Sequence, residues 1–299
     1  MPAPLSAGFS DYLSDIISDV ARAAFRAQSI TPIHGGDIHQ SYQISDNHGL
    51  NFFLKTNHRH QMQVFSAEKI ALDTLGNTLC IKTPKALFDG CYKHTAFLLM
   101  EFLGFTETGD DYLLGQQLAK LHRHTEPQFG FESDNFIGST PQQNPRHQHW
   151  IDFWIDARIG PQLERAYNNN DNNGLYSMGC ALIDIIPELL KDHKPSASLV
   201  HGDLWAGNKR FLGDGSPVIF DPACYYGDRE VDIAMTELFG GFSRDFYRGY
   251  HSEWPLAKGY QQRKTLYNLY HLLNHLNLFG DAYLSSCFGT IKALIKAGE

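Results

Sequence analysis

The hydrophobic period of this 299-residue chain becomes mainly helical after Gly104, and that change bounds what it can fold into. Before it, apolar residues come in short β-rich runs. Ser41 to Ser45 and Leu50 to Thr56 flank Asp46-Asn47-His48-Gly49, a hairpin-turn sequence, and Lys85 to Phe88 and Thr95 to Leu103 read as further strands. An amphipathic helix precedes them, with Leu13, Ile16, Ile17, Val20 and Ala24 three and four apart behind Ser10 as N-cap. A second helix, Val64 to Leu75, is set among the strands. Residues 1–104 are therefore expected to form an antiparallel sheet lobe with one internal helix.

After Gly104 the period is helical over Tyr112 to His122, Trp150 to Tyr167, Tyr176 to Leu190, Val231 to Phe239 and Gln261 to Leu278. Residues 105–299 thus read as a larger, mainly helical lobe, which makes the fold class α+β with two lobes. Within it lies one β-type island, Leu199 to Asp221, whose two short strands surround a Gly213-Asp214-Gly215 turn. The polar run Asn168 to Gly174 reads as a surface loop, because the helices on either side have apolar faces to bury.

Composition removes several function classes. Apolar residues are 42% and charged residues 19%, enough for an ordinary core. The 33 acidic against 25 basic side chains leave a net charge of −8, and no Lys/Arg stripe is present, so nucleic acid is not an expected partner. The longest apolar run, Thr95 to Phe105, is interrupted by Glu101 and falls short of the ~18 residues of a membrane span. No basic residue precedes an apolar stretch at the start, and Asp11, Asp15 and Asp19 break up the apolar positions of the first helix, unlike a secretory signal. Five scattered cysteines without a C-x-x-C pair fit buried, reduced thiols, and with the missing signal they point to the cytoplasm. The fifteen histidines lack the Cys or carboxylate spacing of a metal site and read as surface residues. No heptad or exposed apolar stripe specifies an oligomer.

The chemistry concentrates in His201-Gly202-Asp203-Leu204-Trp205-Ala206-Gly207-Asn208, followed by Val218-Ile219-Phe220-Asp221-Pro222. A loop, strand, turn and strand of this length bring Asp203, Asn208 and Asp221 to one end of a hairpin. Phosphoryl transfer needs that set: a carboxylate (Asp203) to take the proton of an attacking hydroxyl, and two oxygen ligands (Asn208 and Asp221) to hold Mg²⁺ against nucleotide phosphates. His201 reads as loop support, and Asp228 and Asp232, opening a helix, as helix-dipole and loop anchors.

This constellation resembles the catalytic loop and metal-binding Asp of kinase-like phosphotransferases. The resemblance implies a phosphate-contacting lysine upstream, and Lys55 ends the strand Phe52-Phe53-Leu54-Lys55. Glu68 falls between Phe65 and Leu72 on the apolar stripe of its helix, where a carboxylate needs a cation, so a Lys55–Glu68 ion pair is expected. Leu98 to Gly104 resembles the hinge whose backbone (Met100, Glu101, Phe102, Leu103) binds adenine, with ATP·Mg²⁺ held in a cleft there. Gly35 and Gly36, just before the first hairpin, are phosphate-contact candidates.

Piece by piece the chain is similar to the fructosamine (ketosamine) kinases. The matching pieces are Gly35-Gly36-Asp37-Ile38-His39-Gln40, Phe53-Leu54-Lys55, Leu99-Met100-Glu101, His201-Gly202-Asp203-Leu204-Trp205 with Gly207-Asn208, and Asp221-Pro222-Ala223 with Tyr226-Gly227-Asp228-Arg229-Glu230. The His-Gly-Asp and Asp-Pro pieces specify only the superfamily; the Trp205 context and the run after Tyr226 narrow it. The resemblance implies a protein-kinase-like fold and ATP-dependent phosphorylation of a sugar hydroxyl on a ketoamine such as a fructosamine or ribulosamine, which labilises the adduct and repairs glycated amines or proteins. It offers Trp205, Asp228 and Glu230 as acceptor-contacting candidates. Three features depart from protein kinases or from the expected pattern. The 35–40 loop has no G-x-G-x-x-G and implies a shorter phosphate cover, Asp37 and His39 stand where small or uncharged polar residues are expected, and Pro222 follows Asp221 in place of Phe-Gly, implying a rigid segment. Two other functions fit the same motifs: a phosphotransferase for another small hydroxyl compound (an aminoglycoside, choline or a thioribose), and a catalytically silent nucleotide-binding scaffold.

Overall fold

The structure, a computed structural model, describes residues 5–33, 39–170 and 172–298. The chain divides into two units: Met1–Gly109 with Arg210–Phe220, and Asp110–Lys209 with Asp221–Glu299.

In the first unit, α1 (Ala7–Ala21) leads into β1 (Ser29–Ile33), β2 (Gln40–Ser45), β3 (Asn51–His58), α2 (Met62–Asn77), β4 (Ala86–Tyr92) and β5 (Thr95–Glu101). The strands form one antiparallel sheet in the order β1-β2-β3-β5-β4. Successive side chains of β5 point to opposite faces. Phe97 and Leu99 join Phe9, Leu13 and Ile17 of α1, whereas Ala96, Leu98 and Met100 join Phe65 and Leu72 of α2. Helices on both faces explain why residues 96–100 form an unbroken apolar run.

Two local devices set the register. Asp46 Oδ1 accepts the N–H of His48 and of Leu50 at 2.9 and 2.8 Å, closing the β2–β3 turn, and Gly49 takes the positive φ this needs. Helix α1 is capped by Ser6, which accepts from the N–H of Phe9, not by Ser10. The apolar stripe begins a turn earlier than Leu13, at the buried Phe9, so Ser10 falls inside the helix and its carbonyl accepts from the Ser14 hydroxyl.

The second unit begins with α3 (Asp111–His122), followed by β6 (Thr125–Glu126) and the β7 (Asn135–Ile137) to β8 (Thr140–Gln142) hairpin. Trp150 to Tyr167 is not one helix. It comprises α4 (Trp150–Trp154), a π-turn (Ile155–Ile159) in which the Gly160 N–H bonds five residues back to Ile155, and α5 (Gly160–Asn170). Pro161 causes this, because it lacks the N–H that would bond the Ala157 carbonyl.

The chain continues through α6 (Asn173–Leu190) and β9 (Ala197–Val200) to a hairpin, β10 (Lys209–Phe211) and β11 (Pro217–Ile219). It closes with β12 (Tyr225–Gly227), α7 (Glu230–Leu238), α8 (Arg244–Glu253), α9 (Tyr260–Phe279) and α10 (Leu284–Gly298). Strands β12, β9 and β6 form a small antiparallel sheet. Helices α3 and α8 meet backbone to backbone: a Cβ on Gly115 would lie 2.0 Å from the Phe246 carbonyl oxygen, and one on Gly249 2.0 Å from that of Tyr112.

Read from the sequence, Leu199 to Asp221 is one island within the second lobe, and the boundary falls at 104. In the structure residues 210–220 belong to the first unit, which otherwise runs to Gly109. Backbone bonds join Thr106 to Phe211 in both directions (2.7 and 3.1 Å), the Ile219 N–H donates to the Lys82 carbonyl (3.0 Å), and the Phe105 and Phe220 rings stack at 5.3 Å.

Candidate active site

Strand β9 is buried throughout and delivers the loop 201–208 at its end. Asp232, in the first turn of α7, holds that loop from below. Its two carboxylate oxygens accept the backbone N–H groups of His201 (2.7 Å) and Gly202 (2.8 Å), and one also meets His122 Nε2 at 3.0 Å. Burial alone would raise the Asp232 pKa. The His122 hydrogen bond and the neighbouring charges and N–H groups outweigh it and hold the carboxyl below the usual carboxylate range, so it stays charged. The other His122 nitrogen meets Tyr250 Oη at 2.8 Å, and Arg229 donates to the same oxygen at 2.9 Å. His122 is completely buried and His271 nearly so, and there the surface reading of the histidines fails; His201, read as loop support, is completely buried as well. His201 serves its own loop, its Nδ1 accepting the Asp203 N–H.

Gly202 has φ +85°, and a Cβ there would lie 2.2 Å from the Ala223 carbonyl oxygen. Glycine lets the loop approach the segment that follows Asp221, and the Ala223 N–H donates to the His201 carbonyl at 2.9 Å. Asp221 is itself in the left-handed region, φ +55°, a conformation that costs a non-glycine residue roughly 1–2 kcal/mol and is concentrated at functional sites.

Three predicted residues therefore converge in the second unit. Asn208 Nδ2 donates to the Asp203 backbone oxygen (2.9 Å) and reaches its carboxylate at 3.4 Å. Burial, then the charges of Asp221 and Asp232, push the Asp203 carboxyl up to about 7, against the opposing Asn208 hydrogen bond. Because the Asn208 NH₂ faces Asp203, its Oδ1 is the atom left to ligate. With the Asp221 carboxylate it forms a donor set of hard oxygens that fits Mg²⁺. Trp205 is 41% exposed, and its indole overlies Gly207, where a Cβ would lie 2.2 Å from the ring.

In the first unit, Lys55 Nζ and Glu68 Oε1 form an ion pair of 2.6 Å with both side chains about nine-tenths buried. Lys55 stands opposite Leu98 in the sheet, on the face that α2 covers, which is how β3 and α2 bring the two together. Met100 is a core side chain. The Glu101 carboxylate is occupied by Lys82 Nζ (2.6 Å) and the Lys85 N–H (2.7 Å). Phe102 and Leu103, half-buried, follow the last residue of β5. Only main-chain atoms of this stretch suit a base-binding role. Gly35, Gly36 and Asp37 lie outside the described residues; His39, next to them, meets the Asn57 amide at 2.9 Å and rests on the Phe65 ring.

Asp228 and Glu230 are both held by protein groups. Each is 1% exposed: Asp228 accepts from Tyr267 Oη and pairs with His193 Nε2, both at 2.6 Å, and Glu230 takes Arg263 Nε and Nη2 at 2.7 and 3.0 Å. Both carboxylates thus have structural partners, and this burial lends the acceptor-contact expectation no support. The cysteines also differ from expectation. All five are free thiols, but only Cys224 and Cys287 are buried, and Cys180 is exposed. Sequence reasoning gave His122 and Tyr250 no place at this loop, because His122 lies 110 positions from Asp232 and 128 from Tyr250, beyond any local spacing signal; Arg229 entered it only as part of the run after Tyr226.

The profile of the fructosamine kinase family matches residues 10–297. A probable ketoamine kinase of Synechocystis is 43% identical over 283 residues, covering 94% of this chain and 95% of that protein. A solved structure assigned as a fructosamine-3-kinase from Haemophilus somnus superposes with a TM-score of 0.85 at 28% identity, covering 94% of this chain and 96% of the other. At 13% identity, the aminoglycoside phosphotransferase APH(2")-IIa, solved with gentamicin, matches with a TM-score of 0.62 over 98% of this chain and 97% of its own, which shows the shared kinase-like fold. With the profile spanning nearly its whole length, the chain belongs to the fructosamine kinase family.

Proposed function

We propose that this protein is an ATP-dependent kinase that phosphorylates a sugar hydroxyl of a ketoamine, a step in the deglycation of amines or proteins. The observation that carries the reading is the convergence of Asp203, Asn208 and Asp221, with the Asp203 carboxyl poised at about 7, where a general base works best near neutral pH. The names of the relatives, a ketoamine kinase and a fructosamine-3-kinase, supply the acceptor class and favour the 3-hydroxyl.

Each residue then has a role. Asp203 orients the acceptor hydroxyl and receives its proton as the oxygen attacks the γ-phosphorus and ADP leaves. Asn208 Oδ1 and the Asp221 carboxylate hold Mg²⁺, which when bound neutralises charge on the nucleotide phosphates. Lys55, fixed by Glu68, presents its ammonium to the α- and β-phosphates, while main-chain atoms of residues 100–103 take adenine and residues 35–36 the phosphates. Trp205, exposed beside the base, offers an aromatic face to the sugar ring or its cationic amine. Catalysis is then mostly positioning and charge stabilisation. The five free thiols support a reducing compartment, the cytoplasm, and among the described residues no helix is long and apolar enough to cross a membrane.

The test is ADP formation with Mg²⁺ across ribulosamine, fructosamine, aminoglycoside and choline acceptors, beside Asp203→Asn. A ketoamine should stimulate turnover, and the variant should lose at least ~10²-fold, as loss of a positioned base does. Stimulation by choline or an aminoglycoside alone overturns the acceptor; nucleotide binding with no acceptor turnover makes the protein a scaffold.

A further inference from the structure

Arg158 is completely buried in the second unit, yet among the described residues no carboxylate lies within ion-pair distance of it. A buried guanidinium is costly unless its donors are well occupied. The π-turn makes this occupation possible for the two terminal nitrogens, while the buried Nε has no hydrogen-bond partner among the described residues. Nη1 donates to the Ala157 carbonyl at 2.8 Å, the group that Pro161 leaves without its helical N–H, and to the Gln143 carbonyl at 2.7 Å. Nη2 donates to Asn144 Oδ1 at 2.7 Å. Its charge stands over the rings of Tyr225 (3.9 Å) and Phe153 (4.5 Å).

From Asn144 a chain of amides runs to the segment after Asp221. Asn144 Nδ2 donates to Asn135 Oδ1 (3.0 Å), and Asn135 Nδ2 donates to the Cys224 carbonyl (2.8 Å). Gln142 Nε2 donates to Asn135 Oδ1 (2.7 Å) and to the Ala223 carbonyl (3.1 Å), while the Tyr270 hydroxyl fixes its Oε1 at 2.6 Å. Residues 223–225 are thus held on one side by the catalytic loop, through the His201 carbonyl and the close approach of Gly202, and on the other by this cluster. The Tyr225 ring beneath Arg158 ties the two ends together.

Resting on the phosphotransfer reading above, we propose that Arg158 is a positioning residue for the reaction. Through the amides of Asn144, Asn135 and Gln142, and through the Tyr225 ring, it sets where the Asp221 carboxylate stands relative to Asp203 and Asn208. It touches neither nucleotide nor acceptor. Direct hydrogen-bond partners of metal ligands are typically worth about 10- to 100-fold in metal affinity or activity, and Arg158, acting through residues 223–225, is expected at the lower end of that range.

The experiment compares wild type, Arg158→Met, Arg158→Lys and Gln142→Leu by thermal unfolding, steady-state kinetics against Mg²⁺ and ketoamine, and Mn²⁺ affinity by electron paramagnetic resonance with a non-hydrolysable ATP analogue. Folded Arg158→Met should lose about tenfold or more in kcat and in Mn²⁺ affinity and need more Mg²⁺ for half-maximal rate, with KM for the ketoamine within about twofold. Arg158→Lys, keeping the charge but not the fork, should fall between. A lowered unfolding temperature with wild-type kcat and metal dependence overturns the proposal. If Arg158→Met does not fold, Gln142→Leu decides: it removes the bonds of Gln142 to Ala223, Asn135 and Tyr270 and so loosens the cluster's hold on the segment after Asp221, and unchanged Mn²⁺ affinity there overturns the proposal too. A wild type that binds Mn²⁺ and nucleotide but phosphorylates no ketoamine refutes the kinase reading instead, while the Mn²⁺ comparison still judges Arg158.

Discussion

Asp203 keeps its proton up to about pH 7 in the folded protein, because burial and the charges of Asp221 and Asp232 oppose ionisation; an unconstrained Asp ionises near 3.8. Between those values the folded chain binds more protons than the unfolded one, so this residue's contribution to stability falls as pH rises. The rate should decline about tenfold per unit as pH drops below about 7, read from kcat/KM against pH. Asp203→Asn, inactive as a base, should raise the unfolding temperature at pH 8 more than at pH 5, because it removes a repelled charge that exists only at the higher pH. Equal shifts at both pH values would mean that the repulsion is not there. At this scale the sequence is legible where spacing is local. Asp203, Asn208 and Asp221 fall within nineteen positions of one another, and the Lys55–Glu68 pair comes from a charge on an apolar stripe. For Asp228 and Glu230 a linear pattern of carboxylates does not show that His193, Tyr267 and Arg263, from other parts of the chain, hold them.

Among elements, the ones that the sequence reading misses are short or are set by contacts that large apolar residues do not mark. Helix α8 buries Phe246, Gly249 and Tyr250, three and four apart, but one of the three is a glycine. What fixes it is two glycines, whose missing side chains let α3 and α8 touch through their backbones. Gly249→Ala should therefore destabilise the protein by roughly 1–3 kcal/mol or more, measured by denaturant unfolding, since the obstructing atom is a main-chain carbonyl that cannot swing aside. The π-turn is hidden for a different reason. Trp150 to Tyr167 has unbroken helical periodicity, and Pro161 alone interrupts it; a π insertion and a plain kink leave the same trace in sequence. Strands are easier to read where both faces are covered, as in β5, and harder for the three-residue pair β7 and β8, whose polar residues are buried for their hydrogen bonds.

For the molecule as a whole, the change of period lies near Gly104, whereas the first unit runs to Gly109 and takes back residues 210–220, a return that the period does not show. Nothing local distinguishes that hairpin; its membership rests on bonds to Thr106 and Lys82, more than a hundred positions away. Expressed alone, residues 1–109 should be less stable than the same segment with 210–220 joined to it, as judged by chemical denaturation, because the backbone groups of Thr106 and Lys82 would lose their partners. The same return shapes how such a gene can vary. A crossover that imported another kinase's first 109 codons would bring a sheet without its own hairpin, and a second exchange between the codons of Asn208 and Asp221 would be needed to restore it. Recombination is therefore a poor route to new members of this architecture, and divergence has to proceed by substitutions made in step across two separated stretches of sequence.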